Sequence, residues 1–490
     1  MKTAKNDTRR TLAVLLCTAA LLSAMTACGD SQTDDTAATG TAAGTEPAVE
    51  ETQDPRLAVS DDLPEKDYGG EVFTILTHSD TYYCVEEENG DILNDAYYKR
   101  QSLVEERFHV DIKAHNAGGI SENVTLLTNS VLAGDGTYDL AVIHSITGGP
   151  TLITEHVLLD WTDIEGINLT KPWWNQQINE TLNIADRQYY IAGYISNPSP
   201  FCMFYNPSLG AQFDFEDIYT VVNEGRWTLD YLMQLADEVS SDLNGDGKME
   251  YTDDRFGIGF NNDNETLNFM YGANVVSVLI DSDGLPVPNI NNDKVQVLVD
   301  KVWSLANEKD RSIFVGYNDE GLTNTAFREG RSLILTGGID NAVGLRDSEI
   351  DFAVIPYPKF DEAQEGYYTH VDAWNGILCV GKSVKDTERV GIITEAYAAE
   401  TWKHVIPVFY EKALSDKYFR DEQSVDMMNL IYDGILYDFG YVFDNWLGTT
   451  WVLPKITQSK NTNLASYWAK IEKKVAKHYQ KLYDAVLEDE

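Results

Sequence analysis

The chain has 490 residues, of which 43% are apolar and 11% aromatic, enough to pack two or three folded domains and too many for a disordered protein. Its formal net charge of −42 argues against nucleic acid or an anionic membrane surface as partner. The acidic excess chiefly serves solubility, and it leans towards neutral or cationic ligands.

Lys2, Lys5, Arg9 and Arg10 make a basic start, and Leu12 to Met25 is an apolar run shorter than a membrane span. It ends in Met25-Thr26-Ala27-Cys28. A cysteine after small residues at this place resembles a bacterial lipobox. The resemblance implies a signal peptide over 1–27, cleavage before Cys28 and lipid on that cysteine, with ordinary secretion as the alternative. Residues 28–66 are Thr, Ala, Gly, Asp and Glu with almost no large apolar side chain, which predicts a disordered tether. Beyond Cys28, the cysteines Cys84, Cys202 and Cys379 are odd in number and have no C-x-x-C spacing. They read as buried free thiols, with one disulfide as the alternative.

Val72–Thr77, Val110–Ala114 and Tyr138–Ile143 have strand patterns, separated by helical stretches from Asn94 to Phe108 and from Glu122 to Leu132. That alternation predicts an α/β unit with parallel strands, whose ligands sit beyond the strand carboxyl ends. Those ends carry His78, Tyr82 and Tyr83, and His144 and Ser145. The tryptophan pair Trp173-Trp174 follows, then an outgoing strand over Arg187–Gly193 and another ending in Tyr205-Asn206. Thr228 caps a helix running to Val239, and Val295–Ala306 is a further amphipathic helix.

Asp242, Asn244, Asp246, Lys248, Glu250 and Asp253 have the spacing of a calcium loop, with Gly247 at its tight turn. Oxygens at those positions suit a hard cation, and Lys248 would offer its carbonyl. Asp253 stands where an EF-hand has glutamate, and an acidic turn without metal is the competing reading.

From Thr325 the chain reads as a helix end, a strand over Ser332–Thr336, the break Gly337-Gly338, a short helix from Asn341, and a strand over Asp351–Ile355 before Pro356 and Pro358. Ile377–Val380 is a strand, Thr387–Trp402 a helix, and the remainder is helical. The last helix, Asn463–Leu487, sets Trp468, Ile471, Val475, Tyr479, Leu482 and Val486 on one stripe.

The order of these segments resembles the extracellular solute-binding proteins, the binding subunits of ATP-driven importers typified by maltose-binding protein. It is carried by the Tyr-Asp-Leu strand, Leu-x-Asp-Trp, the tryptophan pair, Phe204-Tyr205-Asn206 and the Gly337-Gly338 to Pro358 stretch. The resemblance implies an α/β, two-lobed periplasmic-binding-protein-like fold of type II, with discontinuous lobes joined by a hinge and a helical C-terminus. Lobe one would comprise 68–193 and 340–400, and lobe two 195–338 and 402–490. It implies a monomer, lipid-anchored on the outer face of the bacterial membrane, that closes over its ligand and presents it to ABC permease subunits.

Sugars stack their C–H faces on aromatic rings and pair their hydroxyls with polar groups. A carbohydrate or oligosaccharide is therefore the expected ligand, met by the rings of Tyr82, Tyr83, Trp173, Trp174, Tyr205, Trp374 and Trp446, each with a core position as its alternative, and by Asp372 and Asn375 beside Trp374; the family resemblance implies His78, His144, Ser145 and Asp340 as further ligand groups. No G-x-S-x-G or H-E-x-x-H motif points to catalysis. The competing classes are a secreted glycoside hydrolase with paired carboxylates and a glycan-binding sensor or adhesin outside transport.

Overall fold

A computed structural model describes residues 54–490 except 80–82, 196–198, 283, 346–347, 410–421 and 489–490. The signal peptide, Cys28, the tether up to Gln53, and Tyr82 lie outside the described residues. Two mixed sheets organise the rest, which is the two-lobed α/β arrangement expected.

The first sheet contains β1 (Glu71–Thr77), β2 (Val110–Asn116), β3 (Leu140–Ile143) and β11 (Ile377–Cys379), in the order β11-β3-β1-β2. β1 runs parallel to β2 and β3, and β11 returns antiparallel to β3, with Ile377 opposite Ile143. The helix Ile92–Phe108 connects β1 to β2. Asp91 caps it by accepting from the amides of Leu93 and Asn94, so the cap lies before the expected Asn94. Helix Ile120–Ala133 connects β2 to β3 and ends at Gly134, where φ is 65° and a side chain would be strained.

The second sheet holds β4 (Phe201–Tyr205), β5 (Phe256–Gly259), β8 (Ser312–Ile313), β9 (Ser332–Gly338) and β10 (Ala353–Ile355), in the order β10-β4-β9-β5-β8. Strands β6 (Val278–Ile280) and β7 (Pro286–Pro288) form a separate antiparallel ribbon. β5, β8 and β9 run parallel; β4 lies antiparallel to both β9 and β10. The second lobe's core fills around Trp227, Leu232, Ile258, Ile334 and Tyr357, and the first around Phe73, Ile75, Val142, Ile191 and Leu378. The helix Leu229–Val239 is capped by the Thr228 hydroxyl, as its sequence predicts.

Three expected boundaries need correction. Residues 340–370 belong to the second lobe: β10 pairs with β4, Trp227 donates to the Pro356 carbonyl at 2.9 Å, and Thr228 bridges Lys359. The glycine pair therefore ends a strand inside that lobe and is no crossover; the chain crosses at 370–377 instead, where Val371 bridges Pro200 and Leu378 bridges Ile191. The C-terminal helices are also shared between lobes. The turn Thr401–Val405 sits against helix Ile92–Phe108, through Arg100 and Thr401, whereas Glu422–Asp433 covers β10. The last helix, Leu464–Glu488, packs Leu464 into the second lobe's core and Val475, Tyr479, Leu482 and Val486 against Leu152 and Ile153.

The third correction concerns the tether. From residue 54 the chain is pinned to the first lobe: Asp61 pairs with Arg107, Asp62 with Lys171, and Lys66 with Glu388. Val59 and Leu63 also pack against that lobe's core, so apolar contact and charge pairing hold the segment together.

Candidate functional site

In each sheet the parallel strands point their carboxyl ends at the junction between the lobes. β11 starts opposite the end of β3, and β4 starts opposite the end of β9, so the two crossings run between those edges. The first lobe contributes an aromatic cluster. The ring of His78 lies 5.7 Å from that of His144 and 5.4 Å from Trp374, and Trp374 lies 5.3 Å from His144. Tyr83 closes the group at 6.4 Å from His78.

Trp374 sits on the second crossing with 49% of its surface exposed, the placement a stacking platform needs. Its position is fixed by Asp372, whose carboxylate accepts from the Trp374 amide at 2.8 Å. Gly376 follows with φ 66°; a β-carbon there would lie 2.6 Å from Val142 Cγ1 and 3.2 Å from the Ile143 carbonyl. Only glycine lets the crossing pass this close to β3.

The histidines are neutral ring surfaces. Burial, then the neighbouring His78, holds His144 down to about 4, and burial lowers His78 despite its bond to the Val142 carbonyl at 3.2 Å. Ser145 is buried and donates to the Ala373 carbonyl through its amide at 3.2 Å. Ser145, Asp372 and Asn375 line one cavity of about 90 Å³ with His370 and Tyr441.

The second lobe contributes polar groups. Asp340 is exposed at the end of β9 and accepts from the Ser199 hydroxyl at 2.8 Å. Glu265 follows β5, is 6% exposed, and accepts from Tyr357 Oη and Asn268 Nδ2, both at 3.1 Å. Burial first, then Asp372 and Asp340, raises Glu265 to about 8. Burial and Asp340 raise Asp372 to about 6. Sequence reasoning missed Glu265. The signal was the polar run Asn261-Asn262-Asp263-Asn264-Glu265 directly after a buried strand, where a ligand edge falls.

Trp446 is 47% exposed and stacks on Trp451 at 4.4 Å; Trp451 neighbours Tyr441, whose ring meets His370 at 4.4 Å on the second crossing. The other expected aromatics belong to the core. Trp173 and Trp174 are buried, and their indole N–H groups donate to the two oxygens of Glu395 at 3.0 and 2.8 Å. Tyr205 is buried with its hydroxyl against Gly210. These three are removed from the candidate site, because their polar ends are used or enclosed.

The 242–253 turn is folded on itself. Asp242 accepts from the amides of Gly245 and Gly247 at 2.6 and 2.7 Å, Asn244 from Asp246, and Asp246 from Lys248. Among the described residues, no three His, Cys, Asp or Glu side chains converge as a metal set. Asp254, next to the expected ligand Asp253, closes the turn on the amides of Leu243 and Glu250. Cys84, Cys202 and Cys379 are free, Cys84 being only partly buried.

No family model matches the chain, and no curated protein matches its sequence. Solved structures do match its fold. A cyclo/maltodextrin-binding protein complexed with maltotetraose aligns over 85% of this chain and 95% of its own, at 16% identity and a TM-score of 0.55. The galacto-N-biose/lacto-N-biose I-binding protein of the ABC transporter from Bifidobacterium longum, in complex with lacto-N-biose, aligns over 86% and 97%, at 13% identity and 0.55. A solute-binding protein from Thermotoga lettingae bound with α-D-tagatose aligns over 84% and 100%, at 13% identity and 0.52. The chain has the two-lobed fold of the sugar-binding proteins of ABC transporters.

Proposed function

We propose that this protein is a membrane-anchored solute-binding protein that captures a carbohydrate between its lobes by hinge closure and delivers it to an ABC permease. The observation that carries this is Trp374, half-exposed on the crossing itself, with His78 and His144 around it and Asp340 and Glu265 on the facing edge. An aromatic platform opposite polar groups is the chemistry of sugar recognition. The sugars bound by proteins of the same fold support the ligand class. Closure binds the ligand by differential affinity for the shut form, and no bond in it breaks. Lipid on Cys28 would hold the protein, as a monomer, at the outer face of the membrane.

The hydrolase reading draws on Glu265 and Asp372, two carboxyl groups whose surroundings set their proton affinities apart, as an acid and a base require. Thermal shift across a saccharide library, with recovery of the sugar, separates the two. A binder gains stability and returns the sugar intact; released product would retire the transport reading. Sugar uptake lost on deleting an adjacent permease gene, with binding retained, would set it apart from a sensor or adhesin.

Calcium at 242–253 is a secondary proposal. The Asp-x-Asn-x-Asp-Gly order supports it, and binding would have to gather Asp242, Asp246 and Asp253 from the positions they now hold. Its role would be to stiffen a surface turn.

A further inference from the structure

The last helix, Leu464–Glu488, carries charge of the opposite sign to the chain around it. The whole chain has 79 acids to 37 lysines and arginines. Between Leu464 and Tyr483 this helix has the single acid Glu472 and five lysines, Lys470, Lys473, Lys474, Lys477 and Lys481. Spacings of three and four residues set the five on one stripe, and all are exposed. Val475, Tyr479, Leu482 and Val486 turn the other side into the core beside Leu152 and Ile153. Among the described residues, none of the five lysines forms a salt bridge with a carboxylate. Lysines three or four apart on a helix repel one another. A face that only had to stay wet would interleave acids, of which this chain has a surplus.

A second feature adjoins the stripe. The ribbon of β6 and β7 packs Val278 into the same core as Val475 and Tyr479. Its Leu285 and Pro286 share a groove with Trp468, Lys473 and Tyr483 of the helix. Leu279, Ile280 and Val287 of the ribbon stand open to solvent, at 48%, 45% and 43% exposure. Exposed apolar side chains beside lysines and amphipathic rings suit a lipid interface, where the apolar groups enter the acyl boundary and the cations meet phosphate.

We propose that this face rests on the membrane, its five lysines against anionic phospholipid headgroups and the exposed ribbon side chains in the interfacial layer. This rests on the anchored reading above. An acidic protein segment would answer the lysines alone, whereas the bilayer answers the lysines and the apolar ribbon together. It is also the surface that lipid on Cys28 would keep at hand, since residues 29–53 span at most about 90 Å at full stretch. The net charge of −42 does not forbid the contact. At physiological salt, charges are screened beyond about 8 Å, so headgroups touching the stripe feel the lysines rather than the acids of distant faces.

The test uses the lipidated protein, reconstituted into vesicles of phosphatidylcholine alone or with one-third phosphatidylglycerol. Sparse lysine acetylation, read by mass spectrometry, reports which lysines are covered. At physiological salt the five should react about tenfold or more slowly on the anionic vesicles, since each adds its own attraction to the surface, and lysines elsewhere should keep their rates. At about 1 M salt the two rates should converge, because the screening length falls to about 3 Å. Replacing Lys474→Gln, Lys477→Gln and Lys481→Gln together leaves the buried side of the helix untouched, so that variant should fold. It should lose the protection from hydrogen exchange that β6 and β7 gain on the anionic vesicles.

Equal acetylation on the two kinds of vesicle would overturn the inference and leave the anchored reading standing. Slowing by polyglutamate, with none by the anionic vesicles, would give the face to a protein partner and overturn it too. A protein that neither kind of vesicle retains would sink the anchored reading, and this inference with it.

Discussion

Glu265→Gln is the sharpest probe of the cleft. Burial raises Glu265 from 4.5 to about 8, and both of its donors, Tyr357 and Asn268, converge on one oxygen. The other oxygen is the place for the proton, and glutamine puts an NH₂ group there with nearly the same shape. The substitution thus copies the protonated acid. Between pH 4.5 and 8 the unfolded chain has lost this proton while the folded chain keeps it, so the wild type loses stability as pH rises through that window.

At about 1.4 kcal/mol per pH unit the loss is on the order of 4 kcal/mol. With about 2 cal/mol/K of unfolding entropy per residue, a chain of this length would lose roughly 4 °C of melting temperature. The variant should match the wild type at pH 5 and melt several degrees higher at pH 8, read by calorimetry without ligand. A variant equally destabilised at both pH values would mean that Glu265 is held as an anion, and the reasoning would be wrong.

Trp374→Ala should weaken saccharide binding by about 10- to 100-fold with little change in melting temperature, since the ring is half-exposed; unaltered affinity in a titration would remove Trp374 from the site. Gly376→Ala adds a β-carbon at φ 66°, 2.6 Å from Val142, and should cost about 1–2 kcal/mol from backbone strain alone, with more from the clash. Denaturant titration checks this, and a neutral result would show that the crossing shifts freely. Added calcium should raise the melting temperature of the wild type but not of Asp242→Ala; no response in the wild type would retire the calcium proposal. Acidification should destabilise the fold as pH falls from 6.5 towards 4, because His144 is buried neutral and resists its proton. His144→Gln should lessen that sensitivity in a pH series of melting curves.

The strands were legible from their apolar runs, which are buried throughout in Leu140–Ile143 and Ile377–Cys379 and over the second half of Glu71–Thr77. The expected Val72–Thr77 and Ile377–Val380 are the observed Glu71–Thr77 and Ile377–Cys379, each displaced by a single position. The last helix was legible for a similar reason, its stripe matching the buried Val475, Tyr479, Leu482 and Val486. Partnership between distant segments was not legible. Nothing near β10 says that it pairs with β4, so the crossing was placed too early. Trp173 and Trp174 have the look of a ligand platform until Glu395, 222 positions after Trp173, is seen to take both indole hydrogens. Glu265 was missed because an acid in an acidic chain is unremarkable until its burial is known.

The charge pairs that hold residues 54–66 have a mechanical consequence. Asp61 is 8% exposed and grips Arg107, and the partners of Asp62 and Lys66 are Lys171 and Glu388, all on the first lobe. On the proposed anchored reading, a mooring upstream of residue 54 would pull on that half. It would then be the fixed jaw of the clamp, and the lobe that carries Glu265 and Asp340 the one free to travel.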